Sequence, residues 1–145
     1  VKHSKLNLFY VFDENQKKVN VYKFDDSEIL TLQSSLIFTG NMYLVDMIID
    51  KEDKHLYVAS TQNPSIVTLN ILENGNLEIA STYSDLLNSK DEYALTKIML
   101  DNTEKYMFAA QTSNNKLTIL SVNENGSLDF NRHYDVNTPA GLEVL

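Results

Sequence analysis

Cysteine and tryptophan are absent from this chain of 145 residues, and arginine occurs once, at Arg132. Without cysteine there is no disulfide, no thiolate nucleophile and no cysteine-ligated zinc. A nucleic-acid partner calls for a basic patch. Here the net charge is −8, and Lys17-Lys18 is the only pair of adjacent lysines. The acidity reads as the solubility of a turn-rich surface. Two prolines and four glycines leave no linker and no low-complexity tail. No apolar run approaches membrane-spanning length, and no signal-peptide pattern opens the chain, so a cytoplasmic or otherwise intracellular location is expected. Apolar residues are not sustained at helical spacing anywhere. Val, Ile, Leu, Tyr, Phe and Thr instead recur in short runs, the composition of strands.

One paragraph of sequence is written twice. Met47 to Ile79 reads MIIDKEDKHLYVASTQNPSIVTLNILENGNLEI, and Ile98 to Phe130 reads IMLDNTEKYMFAAQTSNNKLTILSVNENGSLDF. The copies align without a gap at a spacing of 51 residues. Asp50 falls on Asp101, Ala59 on Ala110, Thr61 on Thr112, Asn63 on Asn114 and Glu73-Asn74-Gly75 on Glu124-Asn125-Gly126. A third, weaker copy precedes them at a spacing of 47, with Tyr10 on Tyr57, Val19 on Ile66 and Leu30 on Leu77. Periods of this length mark solenoids, propellers or arrays.

Each complete copy contains four strand candidates. They are Tyr43–Ile49, His55–Ser60, Ile66–Leu72 and Leu77–Tyr83, then Leu95–Leu100, Tyr106–Gln111, Leu117–Val122 and Leu128–Tyr134. Asn74-Gly75 and Asn125-Gly126 are hairpin signals, because a tight hairpin turn needs positive φ and Asn and Gly tolerate it best. The first two strands of each copy are the more apolar, with Ala59, Ala109 and Ala110 among large residues, as suits strands covered on both faces. Four antiparallel strands per unit, repeated, describe propeller blades. The expected fold is therefore all-β: a section of about three four-stranded blades, part of a larger propeller of about seven. The expected units are residues 1–40 (lacking a first strand), 41–90 and 91–139, with 140–145 as the first strand of a further or closing blade.

The runs Asp50–Ser60, Ile66–Ile71 and Glu73–Ile79, with Asp101–Gln111 and Leu117–Phe130 in the second copy, resemble blades of the lactonase-type propeller family. That family includes bacterial 6-phosphogluconolactonase and surface proteins with YVTN repeats. The resemblance implies a seven-bladed ring and, for enzyme members, hydrolysis of sugar lactones in a cleft at the axis. Family blades often begin with Pro-Arg-His. Here only Pro139 fits, so no catalytic residue is carried over.

No catalytic set converges in the sequence. His3, His55 and His133 have no second ligand at metal spacing, and the carboxylate pairs Asp25-Asp26 and Asp91-Glu92 have the pattern of solvated turns. No cofactor or metal site is therefore expected. The eight tyrosines read mainly as wedges between blades. The least repetitive insertion, Ser84–Tyr93, sets two leucines among charges, and loops on a rigid scaffold often carry function. Asp85, Leu86, Leu87, Lys90, Asp91, Glu92 and Tyr93 are thus the candidate partner-binding loop. The expected function is a non-catalytic scaffold that presents this loop to a protein partner or to the remaining blades of the same propeller. The alternative is a piece of a lactonase-type hydrolase acting on sugar lactones. Self-association of incomplete rings is the third option.

Overall fold

The computed structural model describes residues 1–40, 42–61, 63–86, 95–113 and 115–137. Among these residues, eleven strands form three antiparallel sheets. The first sheet contains β1 (Leu8–Asp13), β2 (Lys18–Phe24) and β3 (Leu30–Ile37). In the second lie β4 (Leu44–Ile49), β5 (His55–Ser60), β6 (Ser65–Ile71) and β7 (Leu77–Tyr83). The third holds β8 (Leu95–Leu100), β9 (Tyr106–Gln111), β10 (Lys116–Val122) and β11 (Leu128–Asp135). No described residue is helical. Each sheet is an up-and-down meander, the sheet of a propeller blade, its strands lettered A to D from the innermost outward: β4–β7 and β8–β11 are A to D, and β1–β3 are B to D.

The sequence repeat is also a repeat of register. In every blade the outermost strand carries a one-residue bulge, at Gln33, Ala80 and Asn131 in turn. Both innermost strands bulge as well, at Val45 and at Thr96. Val1 and Lys2 lie beside β1 where Ile48 and Ile49 lie beside β5. Lys2 bridges Phe9, and the Tyr10 N–H donates to the Val1 carbonyl.

Two apolar layers hold the blades face to face. Leu8, Tyr10, Val19 and Val21 of the first blade meet Leu56, Val58, Val67 and Leu69 of the second, with Leu44 and Met47 completing the layer. The second layer sets Tyr57, Ala59 and Ile66 against Ile98, Met107, Ala109, Leu120 and Leu128. Alternation along β5 explains the arrangement: Tyr57 and Ala59 point one way, Leu56 and Val58 the other, and both sets are buried. Burial of this apolar area is the main force that joins the blades.

Polar straps reach the same turn carbonyl at both junctions, from different strands. The Tyr10 hydroxyl donates to the Gly75 carbonyl at 3.1 Å, and the Thr68 hydroxyl donates to the Gly126 carbonyl at 3.1 Å. Each C–D hairpin turn thus rests on the blade before it. Gly75 and Gly126 have φ of +80° and +76°. A Cβ at Gly75 would lie 2.0 Å from Leu8 Cδ1, and one at Gly126 would lie 2.5 Å from the His55 ring. Glycine is needed there twice over, for the left-handed backbone and for the close approach. Of the tyrosines, Tyr10 and Tyr57 are fully buried wedges, whereas Tyr43, Tyr106 and Tyr134 are exposed. Burial, assisted by Asp53, pushes the Tyr10 hydroxyl up to about 12, so it stays protonated as a donor.

Candidate functional site

The innermost strands of a propeller border its central channel, and here they are β4 and β8, which pack side by side. Asp46 of β4 reaches across to β8. Its Oδ2 accepts the Ile98 N–H at 2.9 Å, and its Oδ1 lies 3.3 Å from Lys97 Nζ. The bulges at Val45 and Thr96 stand next to this pair. Bulges re-aim side chains and are frequent beside active sites. At the second bulge the Thr96 hydroxyl donates to the Ala110 carbonyl at 3.2 Å and lies 2.9 Å from the Thr112 hydroxyl. Lys97 keeps its side chain 44% exposed while Asp46 is largely covered. The wall therefore carries a half-exposed ammonium, paired with Asp46, one residue along β8 from the Thr96–Thr112 hydroxyl pair; such groups suit an anionic or hydroxylated ligand. Nothing in the repeat marks these residues, because Asp46 and Lys97 occupy the same place in successive copies and differ in charge.

A second polar line runs along the opposite end of the strands, through the A–B turns. Asp53 and Glu104 hold equivalent places, both with φ of +58°. The Asp53 carboxylate accepts the Ser4 N–H at 2.9 Å and the Ser4 hydroxyl, and lies 3.4 Å from His3 Nδ1. The Glu104 carboxylate accepts the Lys51 N–H at 2.8 Å. Burial of Asp53 opposes its ionisation, but the two Ser4 donors, His3 and Lys5 outweigh this and hold the carboxyl below its usual value. His55 is fixed beside Asp50, with Nδ1 2.8 Å from Oδ2, and Asp50 also accepts the Lys54 and His55 N–H groups. This histidine is a turn brace under Gly126. His3, in the place of Asp50 one copy earlier, accepts the Lys5 and Leu6 N–H groups at 3.2 Å.

His133 is exposed on β11 beside Phe130, with ring centroids 5.9 Å apart. Asp25 caps its own turn by accepting the Ser27 and Ile29 N–H groups. Among the described residues, no three His, Asp or Glu side chains stand close enough to hold a metal ion. Of the candidate loop, Asp85 is exposed, while Leu86 is buried in the second apolar layer. The Leu86 carbonyl accepts the Gln111 side-chain amide, and the Gln111 Oε1 in turn accepts the Thr118 hydroxyl at 2.9 Å. Leu87, Lys90, Asp91, Glu92 and Tyr93 lie outside the described residues, as do Pro139 and the expected closing strand at 140–145.

The model of the seven-bladed β-propeller lactonase family matches residues 1–144. A 6-phosphogluconolactonase of Xenorhabdus nematophila is 29% identical over 121 residues, which are 83% of this chain and 34% of that protein. Among solved structures, the periplasmic gluconolactonase of Pseudomonas aeruginosa superposes with a TM-score of 0.84 at 13% identity, over 99% of this chain and 40% of that one. Sqt1 of Saccharomyces cerevisiae superposes with a TM-score of 0.70 at 13% identity, over 94% of this chain and 34% of that one. At such identities the superpositions speak for the fold alone. The chain spans about a third of the length of the curated relative it matches. The family match overturns the expected non-catalytic scaffold. That expectation took the missing catalytic constellation as evidence, but a cleft at a propeller axis draws its residues from many blades.

Proposed function

The chain belongs to the seven-bladed β-propeller lactonase family, and from this we propose that it forms three adjacent blades of an enzyme that hydrolyses a sugar lactone. In that reaction a water oxygen adds to the lactone carbonyl and loses a proton. The ring C–O bond then breaks, and the departing oxygen takes up a proton to leave a hydroxy acid. The observation that carries the reading is the continuous family match over residues 1–144, supported by the similarity to the curated relative. Within these blades the inner-strand wall is the contribution to the cleft. Lys97 holds an anionic group of the substrate or the developing product carboxylate. Thr96 and Thr112 supply hydroxyls, and Asp46 keeps Lys97 and the β8 backbone in place. The general base and the oxyanion donors come from the other blades.

The full-length protein is to be assayed on glucono-1,5-lactone and its 6-phosphate by following acid release at constant pH. The expected result is hydrolysis well above the spontaneous rate. Lys97→Met is expected to raise KM for the phosphorylated substrate by about 10-fold or more, the worth of one lost charge-assisted contact. Lys97→Arg restores most of it. No acceleration with either lactone overturns the proposal.

A further inference from the structure

The three blades do not end alike. Each presents one face to the blade before it and one to the blade after, so equivalent positions can be compared directly. Val58 and Ala109 are fully buried, whereas their counterpart Val11 is 47% exposed. On the other side, Leu8 and His55 lie under Gly75 and Gly126, whereas their counterpart Tyr106 is 41% exposed. The open face of the third blade is a shallow depression of about 160 Å³ lined by Tyr106, Phe108, Ile119, Asn131, Arg132 and Tyr134.

We infer that this face seats the C–D hairpin turn of a following blade, one with glycine at its tight point and a carboxylate next to that glycine. The two existing junctions supply the argument. Glycine is favoured where the turn touches the preceding blade, because both turns are left-handed there and because at Gly126 a Cβ would meet the His55 ring, which Asp50 holds. Tyr106, in the same place, is again a ring, larger than that of His55. The carboxylate follows from Arg132, the chain's single arginine, which occupies the place of Ser34 and Ser81. At the first junction the Ser34 hydroxyl donates to Asn76 Oδ1 at 2.8 Å, and Asn76 directly follows Gly75. Gln33, whose place Asn131 takes, donates from Nε2 to the Asn74 carbonyl at 3.0 Å. Replacing serine by a guanidinium at that seat changes the best partner from an amide to an acid.

The occupant is not the first blade of a second copy. Glu28 stands in the place of Gly75 and Gly126, with φ of +61°, and it brings the Cβ that the seat rejects.

Two peptides of residues 65–83, one hairpin of this chain, are the probes: the native sequence and the same sequence with Asn76→Asp. Each is mixed with the 145-residue chain, and tyrosine nitration by tetranitromethane is mapped by mass spectrometry, with exposed Tyr43 as the internal control. The expected result is protection of Tyr106 and Tyr134 but not of Tyr43. The Asn76→Asp peptide is expected to bind about 2- to 5-fold more tightly than the native one, as one exposed ion pair allows. That advantage disappears in the chain variant Arg132→Ser, and a Gly75→Glu peptide gives no protection. Absence of protection at millimolar peptide overturns the inference, as does equal protection by the Gly75→Glu peptide. So does an advantage of the acidic peptide that persists in Arg132→Ser. Protection that grows with the concentration of the chain alone identifies a second copy as the occupant and also overturns it.

Discussion

At Gly75 and Gly126 the backbone conformation and the neighbouring blade make the same demand, yet the two sites differ in how they can yield. Leu8 Cδ1 is the free end of a side chain and can rotate away from an added methyl. The His55 ring is held by Asp50 and meets the methyl with Cγ as well as Cδ2. Gly75→Ala is therefore expected to cost roughly 1–2 kcal/mol, from the left-handed backbone. Gly126→Ala adds overpacking of about 1–3 kcal/mol. Urea unfolding of the two variants tests the order. Asp53 makes a second prediction at this scale. Its folded carboxyl binds a proton less tightly than an unfolded one, so its stabilisation is present above the ordinary carboxylate pKa and is lost as pH falls through the lower, folded value. Asp53→Asn is expected to flatten the acid side of the stability profile below roughly pH 4. Thermal melts between about pH 2 and 6 check this, and an unchanged acid limb sinks it.

Between elements, the β4–β8 junction separates a backbone clamp from an ion pair. Asp46 is largely covered and accepts an N–H of the neighbouring blade, whereas Lys97 is nearly half-exposed. Asp46→Ala is expected to cost about 1.5–3 kcal/mol, since it removes a charged acceptor and leaves a covered donor without it. Lys97→Ala is expected to cost less than about 1 kcal/mol, as an exposed pair does. Equal losses in denaturant titrations would show that the salt bridge, not the N–H, holds the strands. The A–B turn straps are built the same way. Ser4 and Lys51 offer backbone N–H groups to Asp53 and Glu104 one blade on, so each junction carries a hydrogen bond to a left-handed turn residue.

For the whole molecule, the consequence of a cyclic repeat is that position along the chain, not residue type, decides exposure. Val11 and Ala109 are counterparts in the register but not in burial. In the 145-residue chain, Val11→Asp is expected to change stability by no more than about 0.5 kcal/mol. Ala109→Asp, which places a charge in a closed junction, is expected to cost about 3–5 kcal/mol. In the full-length ring both substitutions are expected to be severe. Thermal unfolding of both variants, in the chain and in the full-length protein, decides whether the junctions are equivalent.

The sequence by itself determined the blades. Strand alternation, polar turns and the Asn-Gly corners follow from local backbone and side-chain physics, so the eight strands from β4 to β11 agree with expectation to within a residue. The bulges are another matter: β3 runs on to Ile37 because β2 pairs with it past Gln33, a partner that no local pattern shows. The candidate site was far less legible. Asp46 and Lys97 carry no motif, because neither does anything until β4 and β8 are brought together. Leu86 read as a loop leucine because its burial depends on the third blade. Only the tertiary structure decided which faces are closed, which carboxylate holds which N–H, and where Arg132 stands. Those properties belong to the junctions, and a junction is made by residues about fifty positions apart.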